Sequence, residues 1–126
     1  MLLGNMFSVN NILETALQAS VIKADVISNN IANADVPGFK KKTVTFESYL
    51  SDALDKAGQT GKLNLSKLSP TIRTEHENFS YRLDGNNVDI EQEMLYAYQN
   101  SVRYDFLANS VINNYRRLNA VLTAFK

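Results

Sequence analysis

The C-terminal third of the chain carries the most regular pattern of apolar positions. From residue 94 onward, apolar residues recur at alternating steps of three and four, interrupted only by a serine. The stripe consists of Met94, Ala97, Ser101, Tyr104, Ala108, Val111, Tyr115, Leu118, Leu122 and Phe125. This is heptad spacing, and it predicts one long amphipathic helix of roughly 55 Å.

The start of this helix is also marked in the sequence. Asp84-Gly85 is typical of a turn, and Asp89 is suited to cap the first backbone N–H groups of a helix. Gln92 stands where a capping box places its second residue. Glutamates in the first turn favour the positive end of the helix dipole. We therefore expect the C-terminal helix to begin at residue 89.

The N-terminal region predicts a second helix with two apolar faces, starting near Ser8 or Asn10. One face has heptad spacing and comprises Leu13, Leu17, Ser20, Ala24, Ile27 and Ile31. The other, well round the helix, comprises Ile12, Ala16, Ala19, Ile22 and Val26. Pro37 disfavours a helical conformation before it, and Pro37-Gly38 suits a type II turn. A helix with two apolar faces needs cover on two sides.

The region between the helices is polar and rich in turn-forming residues. Phe46, Tyr49, Leu50 and Leu54 are spaced for a short helical turn, and residues 71–74 suit a short strand. We predict one mainly α domain with a helix in 1–34, an irregular, partly extended segment in 35–88 and a helix in 89–126. The two terminal helices are expected to pair as an antiparallel, coiled-coil-like hairpin.

Two helices alone leave each other half uncovered. Burying one large aliphatic side chain contributes about 1.5–3 kcal/mol, so an exposed second face forfeits much stability. The pattern therefore predicts association with neighbouring molecules; the alternative is a middle segment that folds back over the second face. The predicted interface residues are Leu13, Leu17, Ala24, Ile27, Ile31, Tyr104, Val111, Tyr115, Leu118, Leu122 and Phe125.

Charge and cysteine content narrow the possible partners. The 13 basic and 13 acidic side chains balance, so no field attracts nucleic acid or an anionic membrane, and little opposes self-association. No cysteine is present, which excludes disulfides and thiolate metal sites.

No apolar run approaches the ~18 residues of a membrane span. Since no charged start with an apolar run is present, we expect a cytoplasmic chain or export without a cleaved signal.

Candidate chemistry is sparse, and we predict a protein that is not an enzyme and binds no metal, cofactor or small-molecule substrate. His76 stands alone between two glutamates, where a metal site needs more ligands. Capping and turn formation account for the acidic cluster in residues 84–93. The basic run 40–42 is interpreted as a solvated loop, and Arg116-Arg117 lies off the apolar stripe. The helical spacing of Tyr98, Tyr104 and Tyr115 favours packing over base stacking.

Two stretches of the sequence are informative beyond the periodic spacing of apolar residues, because each resembles a known motif. Residues 28–39, Ser-Asn-Asn-Ile-Ala-Asn-Ala-Asp-Val-Pro-Gly-Phe, resemble the N-terminal signature of the bacterial flagellar axial proteins, which form the rod and hook. Residues 83–94, Leu-Asp-Gly-Asn-Asn-Val-Asp-Ile-Glu-Gln-Glu-Met, are similar to the segment that opens the C-terminal helix in the proximal rod proteins of that family. The motif residues are Asn29, Asn30, Asn33, Pro37, Gly38, Phe39, Gly85, Asn86, Asn87 and Asp89. Phe39 departs from the usual pattern, in which tyrosine is common at that position.

The resemblance implies a structural subunit of the flagellar basal-body rod, exported by the type III apparatus without a cleaved signal. Such subunits assemble through their terminal helices into a periplasmic shaft that transmits torque and encloses the export channel. The implied partners are copies of the chain, other rod proteins, the basal-body base and the export apparatus. The amides of Asn30 and Asn33 would bond backbone groups at the helix end or on a neighbouring molecule, and Gly85 to Asp89 would fix the entry of the second helix.

A second interpretation, from another class, is a soluble helical adaptor or export chaperone that binds one partner through its apolar faces. The two differ in their dependence on concentration. An assembly subunit polymerises as its concentration rises, whereas an adaptor remains a stable small oligomer.

Overall fold

The computed structural model of the chain describes residues 2–60, 68–75 and 82–124. Helix α1 (Leu2–Ala32) is followed by strand β1 (Lys42–Thr45), helix α2 (Glu47–Thr60), strand β2 (Thr71–Thr74) and helix α3 (Ile90–Ala124). The two long terminal helices pack against each other, and the short strand pair lies in the connecting segment, so the predicted mainly α class is confirmed. None of the described helices is long and apolar enough to cross a membrane.

The predicted start of the first helix is wrong. The helix begins at Leu2, several residues before Ser8. The Ser8 hydroxyl donates to the carbonyl of Gly4, four residues earlier, so Ser8 lies inside the helix and does not cap it. Residues 2–7 contain no proline and a single glycine, so nothing stops the helix from extending toward the N-terminus.

The far end of α1 has the predicted turn. Phe39 N–H donates to the carbonyl of Val36 over 3.3 Å, which places Pro37 and Gly38 at the central positions. Gly38 has φ of +72°, as a type II turn requires at its third residue. At the other junction, Asp89 Oδ1 accepts the N–H groups of Glu91 and Gln92 at 3.0 and 3.3 Å. The predicted N-cap of α3 is therefore present.

The connecting segment is more ordered than its composition predicts. Strand β2 lies where the sequence indicates, and it pairs antiparallel with β1, with Val44 opposite Ile72. The sequence reasoning missed β1, because its Lys-Thr-Val-Thr follows a basic run and offers one apolar residue. The predicted helical turn extends into a helix of 14 residues.

The small apolar core lies where α2 covers α1. Ala19, Phe46 and Leu68 are buried, and Ala16 and Tyr49 are among the residues that pack against them. Ala16 and Ala19 belong to the second apolar face of α1, so the middle segment does fold back over part of that face. The alternative left open by the sequence is therefore realised for α1, and the uncovered apolar surface of the chain lies mainly on α3.

Candidate assembly site

The two motif segments meet in one place, which we call the motif junction (residues 33–41 and 82–89). At its centre is Asn86, whose side chain is fully buried. Its amide Nδ2 donates to the carbonyl oxygens of Asn33, Ala34 and Val36 at 3.0, 2.9 and 2.9 Å. Its Oδ1 accepts the backbone N–H of Val88 at 2.8 Å. One side chain thus bonds to the backbone where α1 ends and to the backbone that precedes α3, and so joins the two segments.

Two glycines allow the segments to cross. Gly38 N–H donates to the carbonyl of Asp84 over 2.8 Å. Both Gly38 and Gly85 have positive φ, +72° and +81°. A Cβ added to Gly85 would lie 3.6 Å from the Gly38 Cα, an ordinary contact distance. The need for glycine at position 85 therefore comes from backbone conformation rather than from crowding.

The basic run joins this junction, so its interpretation as a solvated loop is wrong. Lys40 Nζ donates to the carbonyl of Gly85 at 2.7 Å, and the Lys41 N–H donates to Asn87 Oδ1 at 2.7 Å. Lys41 Nζ also lies 3.2 Å from a carboxylate oxygen of Glu75. Burial lowers the pKa of Lys41, but the hydrogen bond that Lys41 donates to Glu75 and the charges of Glu75 and Glu93 raise it more, and the net shift is upward.

Arg82 ties the turn to the end of α1, and the sequence reasoning did not single it out. It donates to the carbonyl of Ala34 at 2.9 Å and lies 3.6 and 3.4 Å from the carboxylates of Asp35 and Asp84. A lone arginine in a polar loop carries no sequence signal, because its partners at the end of α1, Ala34 and Asp35, lie almost 50 residues away in the chain.

Polar side chains line the contact between the terminal helices, which we call the polar seam. Its members are Asn10, Ser20 and Asn30 of α1 and Glu93, Asn100 and Asn114 of α3. Asn30 Nδ2 donates to Glu93 Oε2 at 3.1 Å. Asn100 Nδ2 donates to the Ser20 carbonyl at 2.8 Å, and Asn114 Nδ2 donates to Asn10 Oδ1 at 2.9 Å. Three amides thus connect the antiparallel helices along most of their length.

Asn30 has a second role at the edge of the strand pair. Its Nδ2 donates to the Lys42 carbonyl at 2.8 Å, and its Oδ1 accepts the Lys42 N–H at 2.9 Å. The amide side chain therefore pairs with β1 as a neighbouring strand would. Asn33, by contrast, bonds within its own helix end, donating to the carbonyl of Asn29 at 2.7 Å.

Hydrophobic periodicity alone missed the polar seam on α3. Glu93, Asn100 and Asn114, together with half-buried Leu107, recur every seven residues and lie on the face toward α1. A search for any residue type repeated at heptad spacing, polar ones included, would have found them. Counting only apolar residues selects a different face of the helix.

The residues predicted for the interface differ in how far they are buried within the single chain. Ile27 is buried. Leu13, Leu17, Ile31, Val111 and Leu118 are half-buried. Ala24, Tyr104, Tyr115 and Leu122 are exposed in the single chain, and Phe125 lies outside the described residues. The predicted stripe on α3 is therefore only partly covered by α1.

A second exposed apolar row on α3, which we call the outer stripe, comprises Leu95, Tyr98, Val102 and Phe106. Tyr98 and Phe106 are 70% and 71% exposed. These residues are spaced by three or four and share one face of the helix. Large exposed apolar surfaces usually mark a binding surface for another molecule.

The acidic residues considered for metal binding have other roles. Asp84 Oδ1 accepts the Asn86 N–H at 3.1 Å, Asp89 caps α3, and Glu93 accepts a hydrogen bond from Asn30. In the described ranges, no three His, Cys, Asp or Glu side chains converge to hold a metal ion. His76 lies outside those ranges.

Comparisons with known proteins agree with this geometry. A sequence model of the family "Flagella basal body rod protein" matches residues 11–40, which cover most of α1 and its half of the motif junction. The chain is 32% identical over 122 residues to the flagellar basal body rod protein FlgB of Bacillus subtilis, covering 90% of this chain and 92% of that protein. It is 34% identical over 116 residues to FlgB of Borreliella burgdorferi, covering 80% and 85%.

A chain with two paired terminal helices that is similar to these relatives over most of its length is a member of the class of flagellar basal body rod proteins. Within that class, the chain belongs to the FlgB family. Its role is accordingly that of a structural protein of the flagellar rod, located in the basal body.

Proposed function

We propose that the chain is a non-enzymatic subunit that assembles through the exposed faces of α1 and α3 with copies of itself and with other rod proteins. In this proposal the assembled helices form the periplasm-spanning shaft, transmit torque and enclose the export channel. The chain reaches the rod through the flagellar export apparatus without a cleaved signal and contacts the basal-body base. The predicted interface residues are assigned to these contacts, and the motif residues to forming the end of α1 and fixing the entry of α3.

The observation that carries the proposal is the distribution of polarity on α3. Its face toward α1 is lined with Glu93, Asn100 and Asn114, while large apolar side chains point away from the chain. A monomeric protein gains stability from the reverse arrangement. Apolar faces turned outward on a neutral chain favour association, and each large side chain that becomes covered contributes about 1–3 kcal/mol.

Leu122 provides a test that leaves the single chain intact. It is 61% exposed, so Leu122→Asp removes no intrachain packing of consequence. We expect this variant to retain the helicity of the wild type, to fail to assemble in sedimentation experiments, and to leave cells non-motile at normal protein levels. A charge placed in a covered apolar contact has a large desolvation cost.

Asn119→Asp is the matched control, because it adds the same charge at an exposed position one turn earlier on α3. It should sediment and swim like the wild type. Normal swimming and assembly by Leu122→Asp would contradict the proposal. A small oligomer of fixed size at every concentration would instead favour the adaptor or chaperone interpretation.

A further inference from the structure

A groove of about 340 Å³ lies between α1 and α3, beside the polar seam. Small side chains, including Ala24, Ser28, Ala97 and Ser101, line much of it. Small residues on two adjacent helices leave a depression into which larger side chains of a third helix can pack. Ala24, one of the predicted interface residues, is part of the lining of this groove.

The floor of the groove contains an incompletely bonded polar group. Asn100 is 6% exposed, and its Nδ2 donates to the Ser20 carbonyl. Its Oδ1 is buried and receives no hydrogen bond from any described residue. A buried acceptor without a donor costs free energy. A donor from another molecule that reached this oxygen through the groove would remove that cost.

The rim of the groove is acidic. Asp25 is exposed and forms no ion pair within the described part of the chain. A carboxylate at the rim and an amide oxygen in the floor together suit a cation with several N–H donors. The guanidinium of arginine has five such donors in a planar fork and is the side chain best matched to this pair.

The chain carries candidate arginines at the far end of the same helix. Arg116 and Arg117 are exposed and have no ion-pair partner among the described residues. They lie 16 and 17 positions after Asn100 on α3, which is about 24–26 Å along a helix. They cannot reach the groove of their own chain, but those of a second copy can.

We propose that the groove around Asn100 receives the end of α3, residues 112–124, from a second copy, with Arg116 or Arg117 bonded to Asp25 and to Asn100 Oδ1. This proposal rests on the proposed function and specifies one contact of the assembly. The contact joins different surfaces on the two copies, so each pair retains one free groove and one free helix end. Head-to-tail contacts of this kind build rings or open helical arrays rather than closed dimers.

Charge reversal tests the contact in the full chain. Asp25→Arg, and separately the double variant Arg116→Asp/Arg117→Asp, should each raise the concentration needed for assembly by about tenfold or more. Mixing the two variants should restore assembly, because a contact between the two different variants pairs opposite charges, so that an array in which they alternate can form. Asp52→Arg, an exposed reversal on α2 outside the groove, is the matched control and should assemble like the wild type.

Cysteine cross-linking gives an independent measurement, because the chain has no native cysteine. Asp25→Cys combined with either Arg116→Cys or Arg117→Cys should give a ladder of dimers, trimers and larger species on oxidation. Adjacent helical positions point about 100° apart, so one of the two combinations should cross-link far better than the other. Asp52→Cys with Arg117→Cys should give no ladder.

The outcomes separate this inference from the proposed function. Wild-type assembly with unchanged assembly of Asp25→Arg, or with no ladder from either cysteine pair, would overturn the groove contact and leave the assembly role standing. Cross-linking that stops at dimers would overturn the head-to-tail arrangement. A wild type that stays monomeric at all concentrations would overturn self-assembly and the groove contact with it.

Discussion

A single amide side chain, that of Asn86, joins the end of α1 to the segment that precedes α3. Its amide group donates to the carbonyl oxygens of three residues at the end of α1, and its Oδ1 accepts the backbone N–H of Val88, shortly before α3 begins. No other residue type offers two N–H donors and a carbonyl acceptor on so short a side chain. The resemblance to a family motif marks Asn86 as important, whereas the tertiary structure gives the reason.

Asn86→Ala should lower the free energy of unfolding by about 2–3 kcal/mol, because it removes three hydrogen bonds to the end of α1 and leaves the buried Val88 N–H without its acceptor. Asn86→Asp should be at least as destabilising at neutral pH, since a carboxylate would then face three carbonyl oxygens. Urea unfolding at low protein concentration measures both. Asn113→Ala, at an exposed position on α3, should change stability by less than about 0.5 kcal/mol. Wild-type stability of Asn86→Ala would contradict this account of the junction.

Ionisation of Glu47 makes the stability of the folded chain depend on pH in the acidic range. It lies at the start of α2 between Arg103 of α3, with which it pairs, and Lys23 of α1, whose Nζ is 3.6 Å away. Burial raises the pKa of the Glu47 carboxyl, but its own backbone N–H, Lys23 and Arg103 together lower it more, to below its ordinary 4.5. A lowered folded-state pKa means stabilisation that is present above 4.5 and is lost as pH falls through the folded value.

Glu47→Gln should therefore be less stable than the wild type at pH 7, and the difference should shrink progressively as the pH falls below 4.5. Thermal unfolding at pH 7 and at pH 3 checks this. Asp55→Asn neutralises an exposed carboxylate on the same helix that has no ion-pair partner in the described ranges, and it should show no such dependence. A difference between Glu47→Gln and wild type that is as large at pH 3 as at pH 7 would show that the charge is not its cause.

At the scale of the helices, α1 and α3 hold each other in register through amides rather than through a tightly packed apolar seam. Polar residues at core positions of helix pairs cost stability but disfavour shifted and reversed pairings. The bonds from Asn30 to Glu93 and from Asn114 to Asn10 lie near opposite ends of the pair. A shift of one turn would break both and bury unpaired amides.

A double-mutant cycle at Asn10 and Asn114 tests this interpretation. Asn114→Leu alone should lower the free energy of unfolding by about 1–3 kcal/mol, because the Asn10 amide stays buried without its partner. Adding Asn10→Leu should recover most of the loss, since two apolar side chains can then pack together. Urea unfolding of the wild type, the two single variants and the double variant gives the coupling free energy between the two side chains. Losses that simply add would contradict a specific pairing of the two amides.

Element types and several boundaries were predictable because they depend on local chemistry. The Pro37-Gly38 turn, the Asp89 cap and the strand at 71–74 follow from residues adjacent in the chain. Strand β1 and the full length of α2 were not predictable, because β1 depends on pairing with β2 and on the amide of Asn30. The buried face of α3 was missed because polar residues occupy it.

At the scale of the whole molecule, the middle segment and the terminal helices play different parts. Strands β1 and β2 and helix α2 cover α1 and build the small core around Phe46. Nothing in the described connecting segment covers the outer stripe of α3, whose Tyr98 and Phe106 remain mostly exposed. A chain that covers part of one terminal helix and leaves most of the other exposed presents apolar surface to neighbouring molecules, which suits addition of further copies along a shaft.

The sequence by itself determined the helical class, the two long terminal helices, their turn and cap residues and the resemblance to flagellar axial proteins. These follow from periodicity, from local capping chemistry and from short motifs. Only the tertiary structure decided which face of α3 turns inward, because burial depends on partners distant in the chain and here the inward residues are polar. It also brought the two motifs together at Asn86, since a hydrogen bond across 50 residues leaves no local trace in the sequence.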